Sequence, residues 1–219
     1  MKPNTTTFEL TCSSGTFTFL RPQSSDALLD SLLEEDPNNE DSIPYWAELW
    51  PSSFTALEYL PTVLSKEHPI FEIGAGLGVV STVLAKEGFT LIASDFAEDS
   101  CWYMQQNALV NKTSFEVLCS DWRTPALSSL FETIIGIDIL YESRWIEPVL
   151  LQIDTNLSTV GKAYIYDPHR PFRADFIEAL KKHPTLDLAH TIQSPSQSGN
   201  STIDCYIISR PSTNHGDTQ

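Results

Sequence analysis

The sequence predicts an α/β protein with a doubly wound, mostly parallel sheet, and three features predict it. Ile70 to Ile73 form a β-branched and aromatic run that breaks into Gly74, Gly76 and Gly78 and then enters an apolar, helix-like stretch. That order of strand, glycine turn and helix lets a ligand approach the backbone where a Cβ would exclude it. From Ile70 onward strand-like and helix-like segments alternate, which implies parallel strands with helices on both faces. The last two strand-like segments have no helical pattern between them, so they form an antiparallel pair at one end of the sheet.

Phe8 to Thr11 and Thr16 to Leu20 collect β-formers around Ser13-Ser14-Gly15 and predict a hairpin. Ser24 and Ser25 cap an amphipathic helix running to about Glu35, and Asp36-Pro37-Asn38-Asn39 ends it as a solvated linker. Between Ile43 and Ser53 stand two tryptophans four apart, Trp46 and Trp50, and Pro51 suits the first turn of the helix that follows. The alternating part then reads strand Ile70 to Ile73, helix Val79 to Glu87, strand Thr90 to Ala93, helix Glu98 to Val110 and strand Phe115 to Leu118. It continues with strand Thr133 to Ile139, a helix after Ser143, strand Ala163 to Tyr166 after a turn at Gly161, and a helix from Pro171 to Lys182. Leu186 to Thr191 and Ile203 to Ile208 are the closing pair. The resulting division is an N-terminal extension over 1–42, one domain over 43–210 and a disordered tail over 211–219.

A chain of 219 residues with 41% hydrophobic and 11% aromatic residues has the composition of a folded globular protein. No apolar run approaches the ~20 residues of a membrane span, and the polar, threonine-rich start lacks the pattern of a secretory signal. Cys12, Cys101, Cys119 and Cys205 have no C-x-x-C spacing, which argues against a zinc site and a disulfide framework and for reduced thiols in the cytoplasm. A net charge of −16 disfavours nucleic acid as a partner and permits a cationic one.

The candidate site residues cluster at predicted strand ends. Glu72 stands two positions before Gly74, and the spacing Gly74-Ala75-Gly76-Leu77-Gly78 is G-x-G-x-G. That form suits S-adenosylmethionine and not a dinucleotide, whose fingerprint is G-x-G-x-x-G. Asp95 ends the second strand about 20 residues after the first glycine, where such sheets place a carboxylate for ribose hydroxyls. Asp121 and Trp122 follow the third strand, where a carboxylate can accept from an adenine amine and an indole face can stack on the base. Trp50 and Trp46 lie just upstream of the glycine strand, so a segment folded over the strand ends would cover the cofactor; core packing is the more ordinary use of such aromatics. The fourth strand runs out through Ile137 into Asp138, with Tyr141 three residues on. A carboxylate there can hold an incoming ammonium and orient the neutral amine for methyl transfer, or it can simply cap a helix.

These motifs resemble those of class I S-adenosylmethionine-dependent methyltransferases, and among them the seven-β-strand lysine methyltransferases called methyltransferase family 16. The resemblance spans about Pro44 to Ser209 and rests on Pro-Tyr-Trp-Ala-Glu-Leu-Trp-Pro at 44 to 51, Glu-Ile-Gly-Ala-Gly-Leu-Gly at 72 to 78, Ser-Asp at 94 and 95, Asp-Trp at 121 and 122, and D-x-x-Y from Asp138 to Tyr141. It implies a Rossmann-like sheet with one antiparallel strand and cofactor contacts at Trp50, Gly74, Ala75, Gly76, Asp95, Trp122 and Ile137. It also implies a lysine in another protein as acceptor. The Pro-Tyr-Trp and Asp-Pro-x-Arg-Pro stretches are most similar to the branch that includes the electron transfer flavoprotein β-subunit lysine methyltransferases, except that His169 replaces that branch's usual glycine between Pro168 and Arg170. A small-molecule N-methyltransferase and a cofactor-binding scaffold without turnover are the competing readings.

Overall fold

The computed structural model describes residues 4–35, 41, 43–197 and 199–211. The linker expected at 36–39 and all but the first residue of the expected tail lie outside the described residues. The chain opens with a hairpin, β1 (Thr5–Cys12) and β2 (Gly15–Pro22), and helix α1 (Ser25–Glu35). A short 3₁₀ turn, Tyr45–Ala47, leads into α2 (Ser52–Val63), with Pro51 at its N-cap. The alternating part comprises β3 (Ile70–Ile73), α3 (Val79–Lys86), β4 (Leu91–Asp95), α4 (Glu98–Val110), β5 (Glu116–Cys119) and β6 (Phe131–Ile137). After a 3₁₀ turn, Ser143–Trp145, come α5 (Ile146–Asn156), β7 (Leu157–Asp167), α6 (Arg173–Lys182), β8 (Asp187–Pro195) and β9 (Thr202–Ser209).

The sheet has seven strands in the order β5-β4-β3-β6-β7-β9-β8. Every pairing from β5 to β7 is parallel, and β9 runs antiparallel to both β7 and β8, so β9 is the one reversed strand. Strand alternation divides the core in two. Ile135 and Ile137, Tyr164 and Tyr166, and Cys205 and Ile207 face the α2 and α3 side, against Leu57, Val80, Val83 and Leu84. Ile134, Ile165, Tyr206 and Ile208 face the other side, against Val149, Ile153, Phe176 and Leu180 of α5 and α6.

One predicted element is corrected. The sequence marks Gly161 as a turn before a strand starting at Ala163, whereas β7 begins at Leu157 and passes through Gly161. The register with β6 slips between Phe131 and Thr133, and a Cβ on Gly161 would come within 2.8 Å of the Phe131 carbonyl oxygen. Glycine therefore serves there for close strand contact across an irregularity, not for chain reversal.

The hairpin shares the main core through Leu10, Phe17 and Phe19. Asn107 of α4 and Asn111, which caps its C-terminus, stand in for a neighbouring strand: Asn107 accepts the Leu20 N–H at 2.7 Å and donates to the Leu20 carbonyl at 3.1 Å, while Asn111 does the same for Thr18 at 3.0 and 2.7 Å. Asn107 also donates to the carbonyl of Leu77 at 2.9 Å, tying the hairpin to the glycine turn. Among the described residues no helix is long and apolar enough to cross a membrane. Asn107→Ala leaves a buried N–H and buried carbonyls without their partner and should cost about 1–3 kcal/mol. Equilibrium unfolding in urea measures this; a loss below about 0.5 kcal/mol, the scale of an ordinary surface substitution, would mean that the hairpin is held by other contacts.

Candidate functional site

The strand order reverses direction between β3 and β6, and a crevice opens at the carboxyl ends of the strands there, as in other doubly wound sheets. The cleft is lined from both sides of that reversal, by Gly74 and Asp95 on one and by Ile137 and Asp138 on the other. Its floor is the turn from β3 to α3. Gly74, Gly76 and Gly78 all have positive φ, at 65°, 56° and 70°, a region that side chains with a Cβ avoid. The neighbours make the requirement stricter. A Cβ on Gly74 would meet the Trp122 ring at 2.6 Å, and one on Gly76 would meet the Trp46 carbonyl oxygen at 3.0 Å.

Asp95 locks this turn. Its Oδ2 accepts the Gly76 N–H at 3.0 Å and its Oδ1 accepts the Ala97 N–H at 3.1 Å. The Ser100 hydroxyl closes the loop by donating to the Gly76 carbonyl at 2.6 Å, and the Ala75 N–H reaches the Ser94 carbonyl at 2.9 Å. Burial pushes the Asp95 carboxyl up, opposed by these N–H donors. Ser100 and Phe96 also donate to this carboxylate, which lines the cleft where a ligand hydroxyl can reach it.

The sequence-predicted residues do not all behave alike. Trp50, Gly74, Ala75, Gly76, Asp95, Trp122, Ile137, Asp138 and Tyr141 come together around the one cleft. Glu72 also borders it, but its carboxylate accepts the Ser81 hydroxyl, so it braces the start of α3 from beneath. Asp121 departs from expectation: it is not among the lining residues, and its carboxylate is held by Arg123 through Nε at 2.9 Å and Nη2 at 2.5 Å. The Arg123 bond holds the Asp121 carboxyl below its usual range. Both upstream tryptophans border the cleft: Trp46 packs its ring on Tyr103, and Trp50 donates its indole N–H to the Tyr45 carbonyl at 3.1 Å.

Asp138 sits at the end of β6 with φ 59°, and its side chain is 0% exposed. Arg170 Nη2 donates to Oδ1 at 3.2 Å, while Oδ2 has no hydrogen bond of ordinary length. Burial pushes the Asp138 carboxyl up against the opposing pull of Ser52 and Arg170. The same guanidinium lies 4.8 Å from the centre of the Trp50 ring. Tyr141 stands beside Tyr45, ring centres 4.6 Å apart, and burial holds its hydroxyl protonated.

Sequence reasoning missed Tyr45, Arg170 and the Asp41 clasp. Asp41 bridges Arg123 at 3.0 Å and Arg144 at 2.9 Å, and both guanidiniums lie over Trp145, at 5.3 and 4.8 Å. Arg170 was within reach of a careful reading because Asp-Pro-His-Arg-Pro follows a strand directly. In that loop Asp167 accepts the Arg170 N–H at 3.1 Å, and His169 takes φ 61° with Nε2 2.9 Å from Asp204 Oδ1. A left-handed backbone there is what glycine adopts freely, and the Asp204 contact helps histidine to hold it.

The fold and the cleft define a class I methyltransferase architecture. The sequence profile of a family described as lysine methyltransferase matches residues 33–183, and the chain belongs to that family, whose members depend on S-adenosylmethionine. A curated relative is the mouse (Mus musculus) protein-lysine methyltransferase METTL21E, 28% identical over 128 residues, the match covering 50% of this chain and 51% of the relative. The chain thus spans about half the length of the curated relative it matches. Similar folds include the T. thermophilus 16S rRNA methyltransferase RsmC in complex with AdoMet and guanosine, with TM-score 0.63, 15% identity and coverage of 94% and 50% of the two chains. The TehB-like SAM-dependent methyltransferase of Corynebacterium glutamicum has TM-score 0.58, 15% identity and coverage of 85% and 100%. The magnesium protoporphyrin IX methyltransferase of Synechocystis with bound SAM has TM-score 0.58, 15% identity and coverage of 78% and 82%.

Burial pushes the Glu72 carboxyl from 4.5 up to about 7, with the Ser81 hydroxyl and N–H opposing. Below pH 4.5 folded and unfolded chains are both protonated. Between 4.5 and about 7 the unfolded chain releases the proton that the folded chain retains, so stability falls as pH rises through this window. Glu72→Gln should therefore match the wild type near pH 4 and exceed it by ~3 kcal/mol at pH 8. Urea unfolding at the two pH values decides it, and an equal effect at both would mean that Glu72 is not the group responsible.

Proposed function

We propose that the chain is an S-adenosylmethionine-dependent N-methyltransferase whose acceptor is a lysine side chain of another protein. The observation that most supports this reading is that Asp138 and Tyr141 line the same cleft as the glycine turn and Asp95. The glycine turn is a cradle that side chains would fill, and the Asp95 carboxylate lines it, so these residues fit the cofactor. S-adenosylmethionine, when bound, supplies a methyl group on a sulfonium sulfur that an amine nitrogen can displace in line.

Gly74, Ala75 and Gly76 admit the cofactor against bare backbone, Asp95 accepts from its ribose hydroxyls, and Trp50, Trp122 and Ile137 give apolar faces to the remainder. Glu72 supports this floor through Ser81, and Asp121 has its partner in Arg123. On the acceptor side, Asp138 draws in an ammonium through Oδ2, the oxygen that Arg170 leaves open. A free lysine has a pKa near 10.4 and is protonated at neutral pH, so the site must strip a proton before attack. Asp138 holds the cation while that proton leaves and then steadies the nitrogen as it becomes positive again. Tyr141 offers a ring face and a protonated hydroxyl to the same group.

The net charge of −16 favours a basic acceptor surface. In this reading residues 43–210 form the methyltransferase domain, the hairpin within the 1–42 extension braces it, and the protein works in the cytoplasm.

Incubation with methyl-labelled S-adenosylmethionine and a lysate of its own source tests the reading. Label should enter protein, on lysine. Asp95→Ala should weaken S-adenosylhomocysteine binding in calorimetry by about 10- to 150-fold, the worth of one charge-assisted hydrogen bond. Asp138→Asn should leave that affinity nearly intact and cut transfer by about 10²- to 10⁴-fold. Label confined to small metabolites would replace the acceptor class, and wild-type transfer by Asp138→Asn would remove Asp138 from catalysis.

A further inference from the structure

Two thiols outside the proposed chemistry meet beside Asp95. Cys101 lies in the first turn of α4 and is buried, while Cys119 ends β5 and is exposed. Alternation puts Val117 and Cys119 on the same face of β5, and Val117 packs with Cys101, Met104 and Ala93 beneath α4. Cys119 is also in register with Asp95 across the β4–β5 pair.

The sulfur contacts bring the two closer still. Cys101 Sγ lies 3.6 Å from the Asp95 carbonyl oxygen and 3.8 Å from that of Leu118, the residue before Cys119. Cys119 Sγ lies 3.3 Å from the Phe96 carbonyl oxygen. The two thiols therefore point at the carbonyls of consecutive residues, Asp95 and Phe96, and each is the other's side-chain neighbour.

We propose that Cys101 and Cys119 form a dithiol modification site that takes an oxidant of the hydroperoxide class and closes to a disulfide at the edge of the cofactor cleft. The accessible Cys119 sulfur attacks peroxide: an S–O bond forms, the O–O bond breaks, and the thiol proton leaves with the departing oxygen as water. That sulfur is oxidised by two electrons and the peroxide is reduced. Cys101 sulfur then attacks Cys119 sulfur; the S–S bond forms, the S–O bond breaks, and the Cys101 proton leaves with the hydroxyl as a second water. Burial pushes the Cys101 thiol up to about 12, so it is a poor target for the oxidant and attacks Cys119 through its small thiolate fraction, which the nearness of the two side chains makes sufficient.

The bridge has a consequence that rests on the cofactor reading above. Ser100, next to Cys101, holds the Gly76 carbonyl, and the Ala97 N–H holds Asp95. Drawing the first turn of α4 toward the end of β5 shifts both of these anchors. Oxidised protein should therefore bind S-adenosylhomocysteine at least about tenfold more weakly, the loss of one hydrogen bond to a charged group.

The test treats the full chain with hydrogen peroxide, alkylates the remaining thiols and maps peptides by mass spectrometry, with calorimetry in parallel. The expected result is a linked peptide pair joining Cys101 to Cys119 and lighter by two hydrogens, with Cys12 and Cys205 alkylated. Dithiothreitol should restore both mass and affinity. Cys119→Ser should form no bridge and keep its affinity through peroxide treatment, and Cys101→Ser should let Cys119 oxidise further to sulfinic acid. Bridges to other cysteines, or Cys119 oxidised with Cys101 still free, would overturn the site; a bridge with unchanged affinity would overturn its effect. If reduced protein fails to bind S-adenosylhomocysteine, the cofactor reading falls, while the peptide map still decides the bridge.

Discussion

The tie between Asp95 and the glycine turn is the constraint on which the rest of the structure depends. A chain passing through left-handed backbone at Gly74, Gly76 and Gly78 has no regular structure to hold it. Asp95 supplies that hold with one carboxylate, accepting the Gly76 and Ala97 N–H groups from two different loops. The arrangement keeps a charge away from water, a cost that burial imposes and the N–H donors offset in part. Most of the donors are backbone groups, with the Ser100 hydroxyl beside them, so the carboxylate orders both loops at once. Trp46 and Trp122 then press on the turn from outside, so the cleft keeps its shape by packing as well as by bonding.

A second polar centre, around Arg170, organises the Asp138 side of the cleft. The guanidinium reaches Asp138 at the end of β6, stacks on Trp50 from the N-terminal segment, and is presented by a loop that Asp167 and His169 shape at the end of β7. Three parts of the chain far apart in sequence thus converge on one charge. Pairing with Arg170 makes a buried carboxylate tolerable and leaves its other oxygen buried without a hydrogen bond of ordinary length. The Asp41 clasp on Arg123 and Arg144 performs a comparable service at the rim, where it fixes the segment before Trp50.

Much of this was legible in the sequence because it is local. The β-branched run ending in alternate glycines, the acid at the next strand end, and the alternation of strands and helices all follow from spacing, and the hairpin and six helices lie close to where the pattern puts them. What spacing does not carry is the partner of a side chain. Asp121 occupies a strand-end position suited to a ligand, yet an arginine two residues later takes its carboxylate. Gly161 reads as a turn because a glycine before a β-run usually is one; its actual use is a close approach to Phe131 that only the register of β6 and β7 creates. Nothing local in Asp167 to Pro171 says that the loop carrying Arg170 returns to Asp138. The substitution of histidine for glycine at 169 made sense only once its backbone angle and its contact with Asp204 were seen.

The central claim is that one cleft, floored by the glycine turn and locked by Asp95, receives the cofactor. Amide hydrogen exchange with and without S-adenosylhomocysteine tests it most directly. Slower exchange should appear together in residues 73–78, 95–98, 120–123 and 45–50, with the outer strands β8 and β9 unchanged. Protection confined to other segments, or none at saturating ligand, would contradict the account.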